Sequence, residues 1–108
     1  MPGIPNAGTT RTPQEIKALL DTGKAVLVDV REPNEHAEVA IPGASLVPLS
    51  RFSTADLPEL GDRELILHCK GGGRSADALT RCRDAGITRV SHMAGGIMAW
   101  HGAGLPVR

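Results

Sequence analysis

A chain of 108 residues has room for one hydrophobic core and a single domain. With 41% hydrophobic and 22% charged residues it reads as globular rather than disordered. Twelve Lys and Arg balance twelve Asp and Glu, and Phe52 and Trp100 are the only aromatics. Partnership with nucleic acid or an anionic membrane surface is therefore not expected.

Residues 1–9 hold Pro2, Gly3, Pro5, Asn6 and Gly8 without the apolar stretch of a signal peptide. They read as a flexible leader to one domain over residues 10–108. No apolar run approaches the length of a membrane span. A cytoplasmic, reducing compartment is the expectation, where a lone reactive cysteine stays a thiol. Thr12-Pro13-Gln14-Glu15 is a capping box with proline at the first helical position. Ile16, Leu19 and Leu20 continue it as one apolar helical face, and Gly23 is its stop. Residues 25–30, Ala-Val-Leu-Val-Asp-Val, are apolar on both faces, as a buried parallel strand requires.

Pro33 opens a short helix or turn over 34–38, Ile41-Pro42-Gly43 is a turn, and 44–49 predicts a second strand ending near Pro48. Residues 50–63 read as loop with a short helical piece. A strand is predicted over 64–69, a helix over 74–85 closed by Gly86, and a strand over 88–93. Gly95-Gly96 then leads into a short helix through Trp100, and Pro106 ends it. Strands alternating with helices predict an α/β fold with a mostly parallel sheet. In such sheets, function gathers beyond the carboxyl ends of the strands. Cys69 ends the best of them.

Directly after Cys69 the chain reads Lys70-Gly71-Gly72-Gly73-Arg74-Ser75. Glycines allow positive φ and let successive N–H groups converge on one point, and the helix N-terminus aims at the same point. A thiol there is favoured as thiolate, its reactive form. The competing reading is a buried, inert cysteine, which the glycines and the helix start weaken.

Four stretches in order resemble the rhodanese (sulfurtransferase) family of single-domain type. They are Leu27-Val28-Asp29-Val30-Arg31-Glu32-Pro33-Asn34-Glu35, Ile41-Pro42-Gly43-Ala44, Cys69 through Ser75, and Gly95-Gly96-Ile97-Met98-Ala99-Trp100 with Gly104-Leu105-Pro106-Val107. The chain departs from the family pattern at His36, where an aromatic is frequent, and at Val39-Ala40, where Gly-His is frequent. The resemblance implies a central, mostly parallel five-stranded sheet flanked by helices on both faces. It implies that Cys69 accepts sulfur as a persulfide, and that Lys70, Gly71, Gly72, Gly73, Arg74 and Ser75 form the substrate-binding loop. The partners implied are a small anionic donor such as thiosulfate and an acceptor, either cyanide or a thiol; a sulfur-acceptor protein is a further partner of this kind. No cofactor is called for. Attack of a thiolate on the outer sulfur needs no general base.

Lys70 and Arg74 would attract an anionic donor and favour thiolate. Lys70 could equally point to solvent, and Arg74 could be a structural clamp on an acid such as Glu35 or Asp29. Ser75 could donate to the sulfur, cap the helix, or do both. Four residues separate Cys69 from Arg74, one fewer than in cysteine phosphatases and related arsenate reductases, so the loop favours a single sulfur atom over a tetrahedral anion. A sulfur-relay or sensor module with little turnover of its own is the alternative from another class.

Cys82 lies about 12 Å along the helix from Arg74, too far to resolve a disulfide with Cys69, and is expected in the core. His68 and His92, both near strand ends, lack metal-ligand spacing, and no metal is expected. Asp29 and Arg31 are expected as a structural ion pair, and Trp100 as a packing anchor.

Overall fold

The structure is a computed structural model and describes residues 10–108; the leader expected over 1–9 lies outside the described residues. The strands are β1 (Thr10–Arg11), β2 (Ala25–Asp29), β3 (Ser45–Leu46), β4 (Glu64–His68) and β5 (Val90–Met93). The helices are α1 (Pro13–Asp21), α2 (Pro33–Glu38), α3 (Gly73–Asp84) and α4 (Gly96–Gly102). The sheet runs β1-β5-β4-β2-β3, and every neighbouring pair is parallel. The α/β fold expected from the alternation is therefore present, with a sheet that is wholly parallel.

Side chains alternate across the central strands and build two cores, one on each face. On one face Val28, Leu65, Leu67 and Val90 pack with Ala78 and Cys82 of α3. On the other, Leu27, Ile66 and Met93 pack with Ile16 of α1 and with Ile97 and Trp100 of α4. Trp100 is the anchor expected, its Nε1–H donating to the Pro106 carbonyl at 2.7 Å. The Thr12 capping box is formed: Thr12 Oγ1 accepts from the Glu15 N–H at 3.2 Å, and Glu15 accepts from the Thr12 N–H at 2.8 Å.

Some boundaries differ from the sequence reading. The strand expected over 44–49 is only Ser45–Leu46. Val47 and Leu49 still donate to the Asp29 and Val30 carbonyls, but Pro48 between them has no N–H and the chain turns into a 3-10 helix over Leu49–Arg51. A second 3-10 turn, Thr54–Asp56, is the helical piece expected in the loop. The strand expected from 88 begins at Val90. Strand β1 carries no periodic signal in two residues; it is held by pairing of Thr10 and Arg11 with His92 and Met93. Among the described residues no helix is long and apolar enough to cross a membrane.

Candidate active site

The two central strands, β2 and β4, deliver the site at their carboxyl ends. Immediately after β4 the chain reaches Cys69, which is 1% exposed. Gly72 then adopts φ 117°, a left-handed conformation that glycine reaches without strain, and becomes the N-cap of α3. This reversal points the Gly72 N–H at Cys69 Sγ, 3.0 Å away, and brings the Ser75 N–H to 3.3 Å. At a helix start the third N–H ordinarily finds an Asp or Ser side chain. Here the cysteine sulfur takes that place.

The sequence leaves open whether Ser75 caps α3. It does not: it is the third residue of the helix, fully buried, with its hydroxyl turned elsewhere. Ser75 Oγ lies 2.9 Å from His92 Nδ1, 3.2 Å from the Gly72 carbonyl and 3.5 Å from Cys69 Sγ. Burial opposes a charged sulfur. The Ser75 hydroxyl and the N–H groups of Ser75, Gly72 and Arg74 outweigh it, so the Cys69 thiol lies below its ordinary value. Cys82 is the contrast, fully buried among apolar side chains and pushed up to about 11 by that burial.

Arg74 is clamped. Its guanidinium donates two hydrogen bonds to Glu35 of α2, at 2.7 and 3.0 Å, a fork that points it away from a purely solvent role. The hydrogen bond from Arg74 holds the Glu35 carboxyl well below its usual range, at about 2, against partial burial. Lys70, Gly71 and Gly73 are exposed on the loop.

Beneath the loop, Asp29 ends β2 fully buried and receives Arg31 through contacts of 2.7 to 3.1 Å, the ion pair expected from sequence. Arg31 also donates to the Val39 carbonyl at 2.7 Å, tying the end of α2 to β2. His36, in place of a family aromatic, sets its Nδ1 2.9 Å from Asp29. His68 is buried, its Nε2 3.9 Å from Asp29 and without a hydrogen-bond partner. Burial holds that ring below its ordinary value, in the neutral form. His68 and His92 thus turn to different partners. Among the described residues no cluster of His, Cys, Asp and Glu is placed to hold a metal.

Sequence reasoning misses two contributors: it weighs His92 as a metal ligand and sets it aside as ordinary packing, and it reads Gly96 only as the lead into a short helix. Gly96, at φ 63°, presses against the loop so closely that a Cβ would stand 2.6 Å from the Cys69 carbonyl oxygen. This lets the next two N–H groups of α4 donate to the loop: Ile97 to the Cys69 carbonyl at 2.8 Å and Met98 to that of Lys70 at 3.2 Å. A glycine pair before a helix is the available signal; the close approach itself is not in it. Beside this seam a groove of about 360 Å³ runs between Lys70, Val39, Ile97, Met98 and Val107, with Met98 61% exposed at its lip.

The chain is similar to known proteins. The family described as "Rhodanese-like domain" matches residues 12–103. "Probable adenylyltransferase/sulfurtransferase MoeZ" of Mycobacterium tuberculosis is 45% identical over 98 residues, covering 86% of this chain and 24% of MoeZ. "Sulfurtransferase" of Allochromatium vinosum is 37% identical over 91 residues, 82% of this chain and 83% of that protein. The crystal structure of "Thiosulfate sulfurtransferase" from Pseudomonas aeruginosa superposes with a TM-score of 0.78 at 27% identity, covering 95% of this chain and 20% of that one. The chain spans 54% and 24% of the lengths of two of its curated relatives, so it corresponds to one part of such proteins. The match runs through both central strands, the cysteine loop and the helix that braces it, and by it the chain belongs to the rhodanese-like family of sulfurtransferases.

Proposed function

We propose that this protein moves a sulfane sulfur from a small anionic donor such as thiosulfate to a thiophilic acceptor, cyanide or a thiol, through a persulfide on Cys69. The observation that carries the reading is the surround of Cys69 Sγ: two N–H groups donate to it at 3.0 and 3.3 Å, and the Ser75 hydroxyl stands 3.5 Å away. It is built to keep negative charge on sulfur without a base.

The steps derive from that charge. The Cys69 thiolate attacks the outer sulfur of thiosulfate; a new S–S bond forms, the old one breaks, and sulfite leaves with the electron pair. The outer sulfur of the persulfide is then anionic, and the N–H groups of the glycine loop would receive it, with exposed Lys70 adding a positive charge at the loop's start. A cyanide or thiolate acceptor attacks that sulfur, the S–S bond breaks, and the pair returns to Cys69. Arg74, held by Glu35, fixes the loop and adds a positive field. Lys70 draws in the anionic donor, and the apolar groove beside it accepts the body of a thiol. A reducing, cytoplasmic setting suits the free thiol this cycle needs.

Intact-protein mass spectrometry after thiosulfate treatment tests the reading. The wild type is expected to gain one sulfur atom, cyanide to remove it, and Cys69→Ala to gain none. A free, alkylatable Cys69 that takes no sulfur would eliminate thiosulfate as donor. The likeness to one quarter of MoeZ favours a second reading, a relay module that passes sulfur to a partner protein. Loading without thiosulfate:cyanide turnover would select it.

A further inference from the structure

His92 of β5 has no part in the sulfur-transfer steps, yet its Nδ1 makes the shortest contact of the Ser75 hydroxyl. A hydroxyl has one proton to give. Three acceptors lie within its reach: His92 Nδ1 at 2.9 Å, the Gly72 carbonyl at 3.2 Å and Cys69 Sγ at 3.5 Å. Whichever wins decides whether the sulfur has two donors or three.

We propose that His92 is a positioning residue for Cys69: neutral, it takes the Ser75 hydroxyl proton on Nδ1; protonated, it donates to Ser75 Oγ and releases that proton to the sulfur. The released hydroxyl prefers the sulfur to the Gly72 carbonyl when the sulfur is anionic, because a charged acceptor makes the stronger bond. The relay moves no proton off Ser75; it reorients one O–H bond. By linkage the effect is mutual, since each group titrates according to the state of the other.

Charged groups on the elements packed against His92 do not compete for this role. On β1 Arg11 pairs with Glu64 of β4 at 2.7 Å, and at the end of β4 His68 faces Asp29. On α3 Arg74 pairs with Glu35 and Arg81 with Asp77, while Arg83 and Asp84 are exposed. None of them shifts His92, whose ring is held below its ordinary value by burial alone. Near neutral pH the ring is uncharged, and in the Nε2–H tautomer that the proposal requires its Nδ1 is the acceptor; the third donor then arrives on acidification.

The inference concerns the sulfur that the proposed function uses, but its test needs no sulfur donor, so either can fail alone. The rate of Cys69 alkylation by iodoacetamide is measured against pH, with the site of labelling read by peptide mass spectrometry. Cys82, buried and pushed up to about 11, stays out of the measurement. In the wild type the logarithm of the rate should fall with unit slope and then, where His92 protonates, run about three- to tenfold above that line. In His92→Asn, whose amide can fill the Nδ1 position without titrating, the excess should vanish. His92→Gln is the second variant, and thermal denaturation identifies which of the two is folded.

Ser75→Ala should abolish the excess with His92 intact, and adding His92→Asn to it should change nothing further. A wild-type profile that superimposes on that of His92→Asn would overturn the proposal. So would an excess that persists undiminished in Ser75→Ala, which would assign it to the field of the imidazolium alone.

Discussion

Glu35 and Arg74, 39 positions apart in sequence, meet through two parallel hydrogen bonds of 2.7 and 3.0 Å and fasten α2 to the first turn of α3. The pair holds the Arg74 end of the cysteine loop, while α4 holds the Cys69 and Lys70 carbonyls at its start. Its contribution depends on pH in a definite sense.

The Arg74 hydrogen bond lowers Glu35 from 4.5 to about 2 in the folded protein. A depressed carboxylate stabilises the fold fully above its unfolded value and loses that contribution as pH falls through the folded one. The loss therefore lies between about pH 4.5 and pH 2. Both side chains are partly exposed, so solvent screening limits the contribution to about 1 kcal/mol. Urea denaturation across that interval should show Glu35→Gln losing less stability on acidification than the wild type does.

Asp29→Asn should be far more costly. Asp29 is fully buried and Arg31 is 3% exposed, so neutralising the carboxylate leaves a guanidinium unpaired in the interior. Loss of one partner of a buried pair costs about 3–5 kcal/mol. A fall of that size in the free energy of unfolding, or failure to fold, is the expected result. A change below about 1 kcal/mol in chemical denaturation would contradict it.

Gly96→Ala tests the seam between α4 and the loop. The added Cβ meets the Cys69 and Lys70 carbonyls, and the backbone is in the left-handed region. Overpacking of this kind costs about 1–3 kcal/mol, and backbone strain adds to it. The variant should melt at a lower temperature. It should also alkylate Cys69 at a changed rate, since the displaced atoms are those of the loop itself.

The two cysteines should separate cleanly under limiting alkylation at about pH 8. Cys69, poised below the ordinary thiol value, should label first by at least about tenfold, and Cys82 only when the core opens. Equal labelling would mean that α3 frays or that the donors do not act on the sulfur.

Much of the fold is legible in the sequence because its signals are local. The Thr12 capping box, the apolar strands β2 and β4 and the glycines after Cys69 each declare themselves within a few residues. What stays hidden depends on distant chain segments. Strand β1 is two residues given shape by β5. Pro48 marks the end of β3 in the sequence, but that the strand shrinks to Ser45–Leu46 is not in the pattern. The Glu35 partner of Arg74 is one of two acids the sequence offers. His92 and Gly96 acquire their roles only when β5 and α4 close over the loop from the chain's far side, and neither carries a motif that says so.

The sulfur that terminates α3 has a consequence for the molecule at large. Deprotonating Cys69 favours the folded chain, because its thiol is more acidic there than in the open chain. Raising the pH through the folded thiol's titration therefore strengthens the fold until the unfolded thiol ionises too. Capping the sulfur with a bulky reagent would strand the Gly72 and Ser75 N–H groups and fray the helix from its first turn. The melting temperature of this protein is thus a gauge of what its cysteine is carrying, readable without any substrate or product being measured.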